Sequence, residues 1–93
     1  MIRSFACKET QKVWQEAFSR KLPPNAQKLA LRKLRMLDAA SRIETLRVPP
    51  GNRLEKLKGD RAGQHSIRIN DQWRLCFEWN EPYADNVEIV DYH

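Results

Sequence analysis

Cationic side chains are concentrated in the stretch from Asn52 to Arg74, and three titratable side chains end the chain. Arginine and lysine are the usual contacts of phosphate oxygens, and arginine can make two parallel hydrogen bonds to them. Histidine, tyrosine and aspartate can each transfer a proton. This pattern predicts a phosphodiester substrate. The cations are Arg53, Lys56, Lys58, Arg61, Arg68 and Arg74, and the terminal residues are Asp91, Tyr92 and His93.

The composition is that of a small folded protein. We expect 93 residues to form a single domain, residues 1–93, with a thin hydrophobic core. No apolar run approaches the roughly 20 residues that span a bilayer, and no secretory leader opens the chain. We therefore expect a cytoplasmic protein with no membrane partner. Cys7 and Cys76 lack metal-ligand spacing, so we expect free thiols and no metal site.

The positive charge is unevenly distributed. The net charge is +5, but eleven cations face four acidic residues up to Arg47, and six face eight thereafter. A basic segment of this kind attracts polyanions. Lys28, Arg32 and Arg35 recur at helical spacing, where like charges repel one another. An anionic partner would remove that repulsion, although an ordinary solvated helix face is equally compatible with the pattern.

The first half of the chain has the periodicity of helices. We predict a short strand over residues 1–6 and a helix from Gln11 to about Ser19, capped by Thr10. A second helix should follow Pro23-Pro24 and run from about Asn25 to Ala40. The first helix should bury one apolar stripe in the core, formed by Val13, Trp14, Ala17 and Phe18.

The second half alternates between apolar and polar residues, which is typical of strands. The predicted fold is therefore α+β, with two N-terminal helices on one face of a small antiparallel sheet, in the order β-α-α-β-β-β(-β). A turn should occupy residues 80–85. The predicted strands cover residues 53–57, 65–69, 73–79 and 87–92.

The second face of this sheet should be open to solvent. Arg68 and Arg74 are expected there as cross-strand neighbours, with Tyr92 close by. Paired like charges destabilise a sheet unless an anion lies between them. That anion could be a substrate phosphate, or the carboxylates of Glu78 and Glu88 could neutralise the arginines instead.

Six segments together resemble the HigB-like branch of the RelE/ParE toxin superfamily, over essentially the whole chain. The resemblance implies a toxin of a type II toxin–antitoxin pair in the bacterial cytoplasm. It also implies that the toxin cleaves mRNA in the ribosomal A site without a cofactor. The implied partner is a helix-turn-helix antitoxin, and the toxin would contact operator DNA only through that antitoxin. The segments are residues 1–5, 49–54, 57–61, 66–70, 72–74 and 88–93.

Metal-independent RNA cleavage requires a base for the 2′-hydroxyl, cations for the phosphate and an acid for the leaving 5′-oxygen. Histidine is the side chain that titrates nearest neutral pH, which favours His93 in proton transfer. Tyr92 would stack on a base or donate a proton, and Asp91 would orient His93 or accept one. The resemblance implies that the reacting groups are Lys58, Arg74, Asp91, Tyr92 and His93.

Glu55 departs from the family pattern, because several ribosome-dependent members carry a histidine there. A carboxylate can act as a base, although it is intrinsically weaker than imidazole. We include Glu55 among the catalytic candidates and interpret His65 as a strand-end residue. The further phosphate-binding candidates are Arg53, Lys56, Arg61, Arg68, Lys28, Arg32 and Arg35.

Two other functions are compatible with the same fold. The protein could be a non-enzymatic growth inhibitor that poisons gyrase or ribosome assembly. It could also act only as a co-repressor together with its antitoxin. The cations and the Asp-Tyr-His ending favour the endoribonuclease.

Overall fold

The computed structural model describes residues 1–92. Two helices follow a short N-terminal segment. Helix α1 spans Lys8–Trp14 and helix α2 spans Pro24–Ala39. Helix α1 begins earlier than predicted because Cys7, not Thr10, is its N-cap, and the Cys7 thiol accepts a hydrogen bond from the Thr10 amide.

The predicted length of the first helix is wrong at its other end as well. The backbone of Glu16 has a φ of 60°, in the left-handed region, so the chain leaves the helix after Trp14. Ala17 and Phe18 consequently do not extend the buried stripe. The Phe18 side chain is 72% exposed, whereas Val13 is only 3% exposed.

Four antiparallel strands follow, adjacent in chain order. Strand β1 is Glu55–Lys56, β2 is Gln64–Arg68, β3 is Trp73–Asn80 and β4 is Tyr83–Asp91. The predicted turn over residues 80–85 is too long, because only two residues separate β3 from β4.

The predicted N-terminal strand is reduced to two isolated contacts. Ile2 and Phe5 form single parallel bridges to Ala84 and Val87 of β4. The α+β class is nevertheless confirmed, with the N-terminal segment lying along the far edge of the sheet.

The helices cover one face of the sheet, as predicted. Leu34 and Leu37 of α2 are fully buried together with Ile67, Leu75 and Ile89, which are paired across three strands. Burying such a side chain is worth about 1.5–3 kcal/mol. These side chains belong to the hydrophobic core between the helices and the sheet. Within residues 1–92, no helix is long and apolar enough to cross a membrane.

The prediction of an open second face is wrong. Ser66 and Cys76 are fully buried there, and Arg74 is only 6% exposed. The segment between α2 and β2 folds over this face in three short 3₁₀ helices, Ile43–Arg47, Pro50–Asn52 and Gly59–Arg61. Arg61 reaches across the face and donates hydrogen bonds of 3.2 Å to Glu88 on β4.

A buried carboxylate anchors the N-terminal segment to β4. Asp85 accepts hydrogen bonds from Arg3 Nε at 2.8 Å and from Asn80 Nδ2 at 2.9 Å. The Arg3 guanidinium also lies 4.4 Å from the centroid of the Tyr83 ring. These donors, with Arg3 first, lower the pKa of Asp85 from 3.8 to about 2.

We predict that this ion pair makes folding acid-sensitive. A carboxylate whose pKa is lower in the folded state stabilises the fold above its unfolded pKa of 3.8, and that contribution is lost as the pH falls towards about 2. Urea denaturation should show Asp85→Asn less stable than the wild type at pH 7, with the difference shrinking towards pH 2. The exposed control Asp60→Asn should follow the wild type. An equal difference at both pH values would contradict the prediction.

Candidate phosphate-binding site

Arg74 is a buried arginine whose guanidinium joins strands β2 and β3 to the segment between α2 and β2. We call this segment the covering segment. Its Nε donates to Ser66 Oγ at 2.9 Å, and its Nη2 donates to the Arg53 carbonyl at 2.7 Å and to the Ser66 carbonyl at 3.4 Å. Buried charges are tolerated only when their donors are satisfied. Arg74 therefore holds the backbone of the Arg53 loop against the sheet.

One nitrogen of Arg74 remains directed towards the surface. Nη1 lies 3.6 Å from a carboxylate oxygen of Glu55, whose side chain is about half exposed. The Tyr92 ring centroid lies 5.2 Å from Arg74 Cζ, which is a cation–π distance. Arg74 thus presents a single donor edge, flanked by a carboxylate and an aromatic ring.

Arg53 contributes a second cation from a constrained backbone. Its φ and ψ are 45° and 57°, the left-handed region that arginine seldom adopts. The preceding Asn52 is fully buried and donates from Nδ2 to the carbonyls of Leu46 and Val48. Lys33 of α2 donates to Asn52 Oδ1 at 2.5 Å. Helix α2 therefore fixes the loop that carries Arg53.

The arginines converge on one open cavity of about 250 Å³. Arg68 and Arg74 are direct partners in the β2–β3 register, as predicted. Asp71 forms an ion pair with Arg68 at the rim, and Glu55 faces Arg74. The cavity is lined by Arg53, Arg68, Asn70, Asp71, Arg74 and Tyr92.

The carboxylates expected to neutralise these arginines are engaged elsewhere. Glu78 accepts a hydrogen bond from Asn86, and Glu88 accepts from Arg61. Of the two alternatives left open by the sequence, neutralisation by Glu78 and Glu88 is therefore not the one observed, and Asp71 and Glu55 are the carboxylates that face Arg68 and Arg74. Both substitutes are largely exposed, so an incoming phosphate could displace them with little loss.

Several predicted site residues do not line this cavity. Arg61 is committed to Gln64 and Glu88. Lys56 pairs with His65 in the register, which places it on the opposite face of the sheet from Arg74. Lys58 is exposed and lies just before the Gly59–Arg61 3₁₀ helix.

The terminal residues are separated by strand alternation. Asp91 pairs with Trp73 in the register and accepts a hydrogen bond from Gln72 Nε2 at 3.1 Å. It therefore lies on the face opposite Arg74, while Tyr92 reaches the cavity. His93 lies outside the described residues. On α2, Lys28, Arg32 and Arg35 line a different cavity.

His65 belongs to the packed face of the sheet. Its ring stacks on Phe77 with 6.2 Å between centroids, and desolvation by burial lowers its pKa, with nearby Lys56 adding to the effect. A neutral imidazole packed on Phe77 fits the interpretation as a structural strand residue.

Lys33 and Asn52 are the supporting residues that the sequence analysis missed. Lys33 lies three residues after Ala30 and four before Leu37, so the helical period places a cation on the buried stripe. A lysine on the buried stripe of a helix needs a polar partner, so its position in the sequence could have indicated a buried contact such as the one with Asn52. Burial lowers the pKa of Lys33, with smaller effects from Arg32 and Arg68.

Two solved structures share the fold of this chain. A YafQ mutant from E. coli superposes with a TM-score of 0.63 at 15% identity, covering 99% of this chain and 92% of that one. The YoeB–YefM complex from Staphylococcus aureus gives 0.61 at 20% identity, covering 100% and 98%. These likenesses concern the fold alone.

Sequence relatives give the family. Toxin HigB-1 of Vibrio cholerae is 44% identical over 70 residues, covering 75% of this chain and 74% of the relative. Endoribonuclease HigB of Proteus vulgaris is 30% identical over the full length of both chains. Residues 3–93 match the HigB-like toxins, and the chain belongs to this family of RelE-like toxins of type II toxin–antitoxin systems. The resemblance drawn from the sequence is confirmed, and the partner is an antitoxin.

The left-handed backbone at Arg53 generates a stability prediction. Glycine adopts positive φ without the steric cost that a Cβ incurs, so Arg53→Gly should be more stable than Arg53→Ala by about 1 kcal/mol. Urea denaturation of both variants measures the difference, and the shared loss of the guanidinium cancels between them. An alanine variant as stable as the glycine variant would contradict the backbone assignment.

Proposed function

We propose that this toxin is a metal-independent endoribonuclease that cleaves mRNA on the ribosome and so inhibits translation and growth. The observation that carries the proposal is the convergence of Arg53, Arg68 and Arg74 on one cavity beside Tyr92 and Glu55. The family assignment and the name of the Proteus vulgaris relative support the same activity.

The cavity suits a phosphodiester better than a neutral ligand. Three guanidinium groups provide donors around the cavity, and those of Arg68 and Arg74 are held by protein partners. Preorganised donors stabilise the charge that develops on phosphate oxygens in the transition state. The Tyr92 side chain is 48% exposed, which leaves ring surface for a nucleotide base. Base–aromatic stacking is worth about 1–3 kcal/mol.

The proposed reaction proceeds by attack of the 2′-oxygen on the adjacent phosphorus. Glu55, whose carboxylate lies 3.6 Å from Arg74 Nη1, accepts the 2′-hydroxyl proton. The bond from phosphorus to the 5′-oxygen breaks, and His93, which directly follows Tyr92, donates a proton to the leaving oxygen. The products are a 2′,3′-cyclic phosphate and a 5′-hydroxyl.

The remaining candidates have supporting roles in this proposal. Asp91 holds the end of β4 through Gln72 rather than touching the substrate. Lys58, which is exposed just before the Gly59–Arg61 3₁₀ helix, attracts the RNA over longer distances. The ribosome supplies the ordered mRNA, and a helix-turn-helix antitoxin neutralises the toxin and carries it to operator DNA.

Removing one cavity cation should slow cleavage without unfolding the protein. Arg68 forms an ion pair with exposed Asp71, so Arg68→Ala should fold normally. Loss of one transition-state donor costs about 10²-fold in rate. Single-turnover cleavage of mRNA on purified ribosomes should fall by about that factor. The control Arg42→Ala removes an exposed cation outside the cavity and should cleave at the wild-type rate.

The ends of the cleaved RNA test the chemical step. Attack by the 2′-oxygen leaves a 5′-hydroxyl, which polynucleotide kinase labels without prior phosphatase treatment. An mRNA with one 2′-deoxynucleotide immediately 5′ of the scissile phosphate should resist cleavage there. Cleavage of that message, or 5′-phosphate ends, would contradict the mechanism. Growth arrest with intact mRNA and blocked gyrase would instead identify a non-enzymatic inhibitor.

A further inference from the structure

A second surface on the protein combines exposed apolar side chains with a row of cations. Phe18 is the most exposed large apolar residue among those described, at 72%. It lines an open cavity of about 300 Å³ with Val13, Ala17, Lys28 and Leu31. An adjoining cavity of about 280 Å³ shares Lys28 and Leu31 and continues to Arg32 and Arg35. We call the two cavities together the helix groove.

The groove arises from the early end of α1. The left-handed Glu16 turns the chain away from the helix, so Phe18 projects from the connection instead of packing in the core. Leu31 of α2, partly buried, provides the apolar floor beside it. Phe18 and Leu31 line the same cavity beside Lys28, and a contiguous apolar patch with a polar rim is typical of an interaction surface.

The rim of the groove is basic. Lys28, Arg32 and Arg35 follow one another at i, i+4 and i+7 along α2, and each is exposed. Among residues 1–92, Glu16 is the one acidic side chain in the lining of the groove. Its carboxylate lies 3.4 Å from Arg35, and both side chains are exposed. An exposed pair of this kind is worth little and is easily exchanged for a partner's carboxylate.

The groove is separate from the phosphate-binding site, because the two share no lining residue. The cavity of Arg53, Arg68 and Arg74 is lined by polar side chains, with the Tyr92 ring as its one aromatic group among the described residues. The helix groove has an apolar floor between cations. RNA offers phosphates to the cations but no aliphatic side chains to the apolar floor. An acidic amphipathic peptide offers carboxylates to the cations and apolar side chains to the floor.

From this complementarity we propose that the helix groove is the docking surface for an amphipathic, acidic segment of the antitoxin. Apolar residues of that segment would cover Phe18 and Leu31, and flanking carboxylates would meet Lys28, Arg32 and Arg35. The proposal rests on the assignment of this chain as a toxin with an antitoxin partner. It adds where the antitoxin docks and what chemistry the docking segment has.

The experiment measures antitoxin binding and RNA cleavage on the same variants. The antitoxin encoded with this toxin is purified and titrated into full-length toxin by calorimetry. Phe18→Ala should weaken binding by about tenfold, because exposed aromatic anchors dominate interface energies. The double variant Lys28→Glu/Arg32→Glu should weaken it by about 10²-fold through charge repulsion. Both variants should cleave mRNA on ribosomes at the wild-type rate.

Matched controls separate the groove from general charge effects. Arg42→Glu and Arg47→Glu reverse exposed cations outside the groove. Together they should change antitoxin affinity by less than about twofold, as for rim charges distant from an interface. Circular dichroism of all variants confirms that they fold.

Three results would overturn the proposal. One is unchanged antitoxin affinity in both groove variants. Another is an equal loss of affinity in the Arg42/Arg47 control. The third is normal antitoxin binding with slower ribosomal cleavage, which would assign the groove to ribosomal RNA. A toxin that binds its antitoxin as expected but never cleaves RNA would contradict the proposed function and leave the docking surface intact.

Discussion

The buried guanidinium of Arg74 is the constraint on which the site depends. Arg74 lies in the second face of the sheet and is only 6% exposed. Its buried charge is tolerated because Nε donates to Ser66 and Nη2 donates to the Arg53 carbonyl. These bonds fix the covering segment onto β2 and β3. Without them the Arg53 carbonyl and the Arg74 charge would both lose their partner, at a cost of several kcal/mol.

Three groups of cations in this chain differ in what surrounds them. Arg3 and Arg61 close the fold by bonding Asp85 and Glu88. Arg53, Arg68 and Arg74 line the candidate phosphate-binding site, where the carboxylates of Asp71 and Glu55 are at least half exposed. Lys28, Arg32 and Arg35 of α2 border the helix groove. The net charge of +5 is therefore a sum of unlike roles, and the charge of the whole chain does not identify the site.

The periodic parts of the fold could be predicted from the sequence. Helix α2 was placed within one residue at each end because its apolar stripe continues without interruption. The Arg68–Arg74 pairing followed from strand alternation across a short turn. Helix α1 was overextended because the apolar spacing of Val13, Ala17 and Phe18 continues past the residue where the backbone turns.

The wrong prediction of an open second face has a non-local origin. Nothing in the local pattern states that the segment around Asn52 folds over the second face, because that contact requires Lys33 from α2 and Arg74 from β3. The role of Asp91 stays a prediction, although the face of the sheet on which it lies could be predicted from the sequence. Strand alternation already separates it from Tyr92, and the functional grouping of the last three residues hid that fact.

The central claim is that mRNA meets the cavity of Arg53, Arg68 and Arg74 beside Tyr92. Photo-cross-linking from 4-thiouridine in the A-site codon tests it directly, using a message with a 2′-deoxynucleotide at the scissile position so that it stays intact. The account predicts cross-links in peptides that contain Tyr92 or residues 53–74. Cross-links confined to α2, with none in those peptides, would contradict it.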